Sequence, residues 1–271
     1  MINLNSALEV ATSTHSGMVR SHNEDSIAAE AEVGLAVLAD GMGGYNAGEV
    51  ASGIAVALIS SEVKKALTDK DPEDFDNAAA EALIAEHALR ANTAIYQASQ
   101  SQPQYSGMGT TLVVALWHDN QMAVGHIGDS RLYRMRDGIL EQVTRDHSLL
   151  QEQIDSGMIT KEQARHSQNK NLVTRAVGID PEVEAEVHSY PARPGDIYLL
   201  CSDGLSDMVT DEDIQLTLSS LAANLPLAAQ QLVQQANDNG GRDNISVILV
   251  RVVKDFPARA GWMEKLKAWF R

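Results

Sequence analysis

Three aspartates in the 271-residue chain stand beside glycine or asparagine at the edges of apolar runs. Asp40 follows the run 34–39 and precedes Gly41. Asp203 follows 197–202 and precedes Gly204. Asp243 comes after Gly240-Gly241-Arg242 and before the run 245–250. Glycine lets the backbone turn tightly and approach a ligand closely. Three carboxylates gathered at one edge of a core repel one another, and such an arrangement persists only around positive charge. Oxygen-only ligand sets select the hard cations magnesium and manganese over zinc. No Cys/His cluster at zinc-ligand spacing competes with that reading. Any one Asp-Gly pair is more often a plain turn, so the pattern of three carries the argument.

Short apolar runs must position these acids. The segments 34–39, 111–116, 122–127, 197–201 and 245–250 have the length and composition of strands buried on at least one face. The polar link 117–121 predicts an antiparallel hairpin. Asp137-Gly138 predicts another, between 131–134 and 139–143. Successive hairpins argue against a doubly wound parallel sheet. Helical spacing predicts helices over 47–67, from Pro72 to about Ser99, over 211–218 and over 225–236. The class is therefore α+β. Ser148-Leu149-Leu150-Gln151 and Thr160-Lys161-Glu162-Gln163 match the capping box, predicting two short helices around Gly157 in a flap over 145–171. An ordinary surface excursion is the alternative there.

Net charge is −16, a poor match to a nucleic-acid backbone. The single cysteine, Cys201, lies in an apolar run and reads as a packed core residue, and no disulfide framework is expected. Residues 1–6 carry neither a basic region nor an apolar stretch, and no apolar run reaches membrane-spanning length. A soluble, cytoplasmic protein is the expectation.

Six motifs occur in order: Arg20-Ser21-His22-Asn23-Glu24-Asp25, Ala39-Asp40-Gly41-Met42-Gly43-Gly44, Gly107-Met108-Gly109-Thr110-Thr111, Gly128-Asp129-Ser130-Arg131, Ser202-Asp203-Gly204-Leu205-Ser206-Asp207 and Arg242-Asp243-Asn244-Ile245-Ser246-Val247. From about Val10 to Val252 the chain resembles the bacterial metal-dependent serine/threonine protein phosphatases, the PPM or type 2C family. The resemblance implies a four-layer α-β-β-α sandwich of two antiparallel sheets with a small helical flap. It implies manganese or magnesium, two ions and a third, with a water bridging two of them as the attacking group. By matching motif, Asp40 bridges both metals, the Gly41 carbonyl binds one, and Asp203 and Asp243 hold the other. Asp129 shares a third metal with Asp203, with Asp207 as a further contributor. Glu24 and Asp25 act through water, and Arg20 grips the phosphate with its guanidinium fork.

The implied reaction is hydrolysis of phosphoserine and phosphothreonine on proteins, opposing a bacterial Ser/Thr kinase. A small-molecule phosphomonoesterase and a non-catalytic phosphoprotein-binding scaffold stay open as alternatives. Many eukaryotic members place a histidine after the Asp-Gly pair as general acid. Here that position is Met42, which cannot donate a proton; metal-bound water is the expected substitute, and His147 in the flap is the alternative, although a lone histidine near a turn more often reads as polar surface. The domain reading is a phosphatase unit over 1–254 and an amphipathic tail over 255–271. In that tail Trp262, Leu266, Trp269 and Phe270 share a helical face that packs on its own domain or docks to a partner or membrane surface. A monomer is expected.

Overall fold

Apolar side chains two apart along a strand face one side, and neighbours face the other. In a computed structural model that describes residues 3–44, 46–69, 75–160, 163–164 and 172–258, this alternation builds three separate cores. One sheet has the order β1 (Leu8–His15), β11 (Ile245–Val252), β10 (Ile197–Cys201), β7 (Arg131–Arg136) and β8 (Ile139–Gln142). The other runs β2 (Asp25–Glu30), β3 (Leu35–Met42), β5 (Leu112–His118), β6 (Gln121–Ile127) and β9 (Glu186–Pro191), with β4 (Gly109–Thr110) on the end of β3. All these pairings are antiparallel.

Leu35, Val37 and Ala39 of β3 pack under α1 (Ala47–Asp69) and α2 (Asn77–Ser101), whereas Ala36 and Leu38 face the second sheet. On β11, Ile248, Val250 and Val252 meet that inter-sheet core. Ile245, Val247 and Leu249 face the outer helices of the other side. Trp117 and Tyr198 meet edge to face between the sheets, their ring centroids 5.4 Å apart. The result is the expected helix–sheet–sheet–helix sandwich.

Beyond α3 (Leu149–Asp155) and the single turn α4 (Asp203–Ser206), the outer layer on the β11 side is α5 (Asp211–Ser220) and α6 (Leu225–Asp238). The capping box at Thr160 is complete: Gln163 N donates to Thr160 Oγ1 at 3.2 Å, and Thr160 N donates to Gln163 Oε1 at 2.8 Å. At α3 the box is half-made, because Ser148 Oγ accepts from Gln151 N while Gln151 Nε2 turns to Asp155.

Several boundaries differ from the sequence reading. The second helix begins at Asn77, where Asp76 caps it by accepting from Ala79 N at 2.9 Å; Pro72 lies outside the described residues. The first hairpin turn is two residues rather than five. Asp119 and Asn120, with φ of 40° and 57°, make the mirror-image turn that suits strand twist. The more polar strands β1, β2 and β9 carry too few consecutive apolar residues to show as strands by themselves. Phe256 is buried, and its N–H donates to Asn120 Oδ1 at 2.6 Å, while Ala258 N donates to Asp119 Oδ1 at 2.8 Å. The tail face of Trp262, Leu266, Trp269 and Phe270 lies outside the described residues. Among the described residues no helix is long and apolar enough to cross a membrane.

Candidate metal and active site

Strand register collects the acids at one rim. His15 at the end of β1 lies opposite Ile245 at the start of β11; Cys201 at the end of β10 lies opposite Val247 and Arg131. In the other sheet Asp25 opens β2 directly across from Asp40 near the end of β3, and Ile127 closes β6 across from Leu112. Asp203, Asp243 and Asp129 occupy the chain segments next to these strand ends. Asp40 sits within β3, which runs on to Met42, so it projects from an extended strand rather than from a turn.

Like charges directly opposite on paired strands are unfavourable, and Asp25 with Asp40 is such a pair. Burial is the main force pushing the Asp40 carboxyl well above the usual range, reinforced by the charges of Asp25, Asp203, Asp129 and Asp243. Asp203 is also pushed well up, by burial first and then by Asp129, Asp243, Asp207 and Asp25. Burial raises Asp25 and Asp129 to about 6 each; Asp243 adds to the first and Asp146 to the second. Asp25 Oδ1 and Asp203 Oδ1 are buried and accept no hydrogen bond. Orphaned anionic oxygens of this kind need a cationic partner.

The surrounding motifs hold the acids in place. Asp40 N donates to Thr111 Oγ1 at 3.0 Å, and Thr110 Oγ1 donates to the Asp40 carbonyl at 2.8 Å. Thr111 Oγ1 also bonds Ser130 Oγ at 2.7 Å, which joins the Asp40 strand to the Asp129 turn. Ser202 Oγ donates to Asp25 Oδ2 at 2.8 Å across the two sheets. A Cβ on Gly41 would fall 2.2 Å from the Gly48 carbonyl oxygen, so β3 and the first turn of α1 touch backbone to backbone. Gly204 is the second such contact, with a Cβ position 1.9 Å from the Asn244 carbonyl oxygen; it brings the Asp203 and Asp243 segments together.

Asn244 lies within the sixth motif, and its amide is a structural pin. Its Oδ1 accepts from Glu24 N at 2.7 Å, and its Nδ2 donates to the Ser16 and His22 carbonyls at 3.0 and 2.8 Å. One buried amide therefore pins the loop that carries Arg20 and Glu24 against Asp243. Burial raises the Glu24 carboxyl, which faces Arg20, Asp243, Glu49 and His22. Arg20 Nη2 donates to Asp243 Oδ2 at 2.8 Å, with half of its side chain exposed. Asp129, Asp203 and Asp207 line a cleft of about 370 Å³ that also borders Ser148 and Thr210. Cys201 is fully buried, its thiol pushed up to about 12 by burial, so it is a core residue and no nucleophile.

His147 corrects the sequence reading. It is buried, not a surface residue of the flap, and its ring stacks on His126 with centroids 4.6 Å apart. Burial lowers both imidazole pKa values. His126, His147 and Glu186 offer ligand atoms within 4.8 Å of one another, the one such group among the described residues.

With this geometry in view, the known proteins can be set beside it. The family model for protein phosphatase 2C matches residues 15–246. The chain belongs to the protein phosphatase 2C family. It is 41% identical over 247 residues to the serine/threonine protein phosphatase PstP of Mycobacterium tuberculosis, covering 91% of this chain and 45% of that protein. It is 37% identical to the serine/threonine phosphatase stp of Listeria monocytogenes, covering 88% of this chain and 93% of that one. The chain thus spans about half the length of the mycobacterial relative and nearly all of the listerial one. A crystal structure of the PstP catalytic domain in complex with two manganese ions superposes with a TM-score of 0.80 at 39% identity, covering 92% of this chain and 99% of that chain.

Proposed function

We propose that this protein is a manganese- or magnesium-dependent phosphatase that removes phosphate from phosphoserine and phosphothreonine in proteins, opposing a bacterial Ser/Thr kinase. The observation that carries the proposal is the rim on which burial, reinforced by neighbouring acids, raises the pKa values of Asp25, Asp40, Asp129 and Asp203 while two carboxylate oxygens stay unpaired. Family membership and the two manganese ions of the PstP catalytic domain support it.

The residues present fit hard cations: they are carboxylates and a carbonyl, with anionic oxygens lacking partners. Asp40 and the Gly41 carbonyl, with Asp203 and Asp243, would hold two ions. Asp129 and Asp203, with Asp207, would hold a third, and Glu24 and Asp25 would act through water. When bound, the cations lower the pKa of a water and neutralise charge on the transferring phosphoryl group.

The rest falls to the chain. Arg20, exposed beside Asp243, presents a planar fork of donors to phosphate oxygens entering from solvent. Thr110, Thr111 and Ser130 fix where Asp40 and Asp129 point. Met42 cannot give a proton to the leaving serine or threonine oxygen. The His147 ring is tied to Gly128 and directed at Glu186, so solvent water is the donor. Residues 1–254 form the phosphatase unit in this reading, with the flap over 145–171 and the tail over 255–271.

The test is hydrolysis of an aryl phosphate and of a phosphopeptide with manganese, with chelator, and by Asp203→Ala. Activity on both substrates that vanishes with chelator and in the variant is the expected result. Chelator-resistant hydrolysis overturns the proposal, and a strong preference for phosphorylated metabolites over phosphopeptide overturns the substrate class.

A further inference from the structure

Two adjacent residues at the base of the flap grip both shoulders of the turn that carries Asp129. On one side His147 holds both backbone polar groups of Gly128: His147 N donates to the Gly128 carbonyl at 2.9 Å, and Gly128 N donates to His147 Nδ1 at 3.2 Å. On the other side Asp146 takes the Arg131 guanidinium in a fork, with Nε 3.0 and 3.1 Å from its two oxygens and Nη2 2.7 Å from Oδ2. Just beyond the flap the chain returns to the same residue, since Thr174 N donates to the His147 carbonyl at 2.8 Å. Behind the ring, His126 stacks at an interplanar angle of 19°, and its Nε2 is 2.7 Å from the Arg145 carbonyl.

Because Nδ1 accepts from Gly128, the His147 proton resides on Nε2, which faces Glu186 Oε2 at 3.4 Å. We propose that His147, assisted by Asp146, is a positioning residue that sets the Asp129 carboxylate against Asp203 at the mouth of the cleft, and so determines the affinity of the weakest cation site. This rests on the assignment of Asp129 as a cation ligand.

The same histidines do not make a metal centre of their own. Ring planes 19° apart run their in-plane lone pairs side by side rather than toward one point. His147 Nδ1 is committed to Gly128, which leaves its Nε2 protonated and without a lone pair for a cation. Removal of groups that orient a ligand lowers metal affinity or activity by about 10- to 100-fold.

The experiment is calorimetric titration of the whole chain with manganese, beside kinetics on an aryl phosphate and a phosphopeptide, for wild type, His147→Ala, His147→Asn and Asp146→Asn. His147→Ala is expected to keep the tight binding steps and to weaken the weakest by about tenfold or more, with kcat falling by one common factor on both substrates. His147→Asn places an amide oxygen where Nδ1 accepts, and is expected to recover most of both effects.

Unchanged manganese binding with only a lower melting temperature would reduce His147 to a packing residue and overturn the proposal. Loss confined to the phosphopeptide would make it a general acid instead. One zinc ion bound per wild-type chain, and lost in His126→Ala and Glu186→Ala, would make the cluster a metal site. If His147→Ala fails to fold, Asp146→Asn decides by the same readouts. A wild-type chain that hydrolyses in chelator refutes the assignment of the cation centre itself, whatever the His147 variants do.

Discussion

The two ends of the sandwich use the same dipeptides for opposite purposes. At the end away from the cleft, Asp119-Asn120 and Asp137-Gly138 close hairpins, and Asp119, Asn120 and Asp137 have φ of 40°, 57° and 52°. Their side chains stay near solvent or accept from backbone N–H groups, as Asp119 does from Ala258. At the cleft end Asp40-Gly41, Asp203-Gly204 and Asp243-Asn244 keep negative φ and turn their carboxylates toward one another. Asp-Gly by itself therefore says only that a chain can bend. A buried strand end that points the carboxylate at another acid gives it chemistry.

The sharpest way to break that contrast is to exchange fates. Asp203→Ala is expected to reduce kcat/KM on a phosphopeptide by at least about 10³-fold, the effect of several kcal/mol of lost electrostatic stabilisation. Asp137→Ala should stay within about twofold, because no substrate group can reach the far hairpin. Equal losses in the two would end the distinction between the rims.

Manganese should separate the ends by stability as well. At about a hundred times its Kd a bound ion contributes about 2.7 kcal/mol, which in a chain of this size raises Tm by about 5–10 °C. The shift should survive Asp137→Ala and shrink in Asp40→Asn. The acid rim also gives the chelated protein its own pH dependence. Asp25 and Asp129 titrate near 6 in the fold against 3.8 as the reference value, so the native state keeps protons that the unfolded chain has released. The contribution of these groups to stability is complete below about pH 4 and is lost as pH rises through about 6, with Asp40 and Asp203 extending the loss upward. Melting curves in chelator from pH 4 to 7 should therefore decline through that window, and manganese should abolish the decline. A flat profile in chelator would mean that the acids do not confront one another.

The smallest of these effects concerns the pin. Asn244→Ala strands the Glu24 N–H and two carbonyls, and is expected to destabilise the fold by about 1–3 kcal/mol while weakening manganese binding. Chemical denaturation with and without the ion would measure both.

The sequence made the two-sheet class legible because runs such as 111–116, 122–127 and 245–250 are apolar enough to announce buried strands. It hid β2, whose residues are all half-buried at a sheet edge. The candidate acids were legible through their ordered motifs; Asp25, Asp40, Asp129, Asp203 and Asp243 lie in or beside strand ends at one rim, with Arg20 against Asp243. His147 was not legible. Nothing local distinguishes an exposed flap histidine from one buried by contacts with residues 126, 128 and 186, distant in sequence and supplied by tertiary packing. Asn244 was hidden for the same reason, since its partners lie more than two hundred residues upstream.

Asp25 and Asp40 belong to one sheet, whereas Asp203 and Asp243 adjoin strands of the other. A cation held between them is a rivet through two plates that otherwise grip only by apolar contact and a few hydrogen bonds such as Ser202 to Asp25. Sliding one plate along the other would have to shear that rivet at the cleft end, whereas the far end is tied by hydrogen bonds such as Phe256 N to Asn120 Oδ1 and Arg136 Nη2 to the Pro191 carbonyl. With such an ion in place, its supply would set the mechanical stiffness of the sandwich at the cleft end.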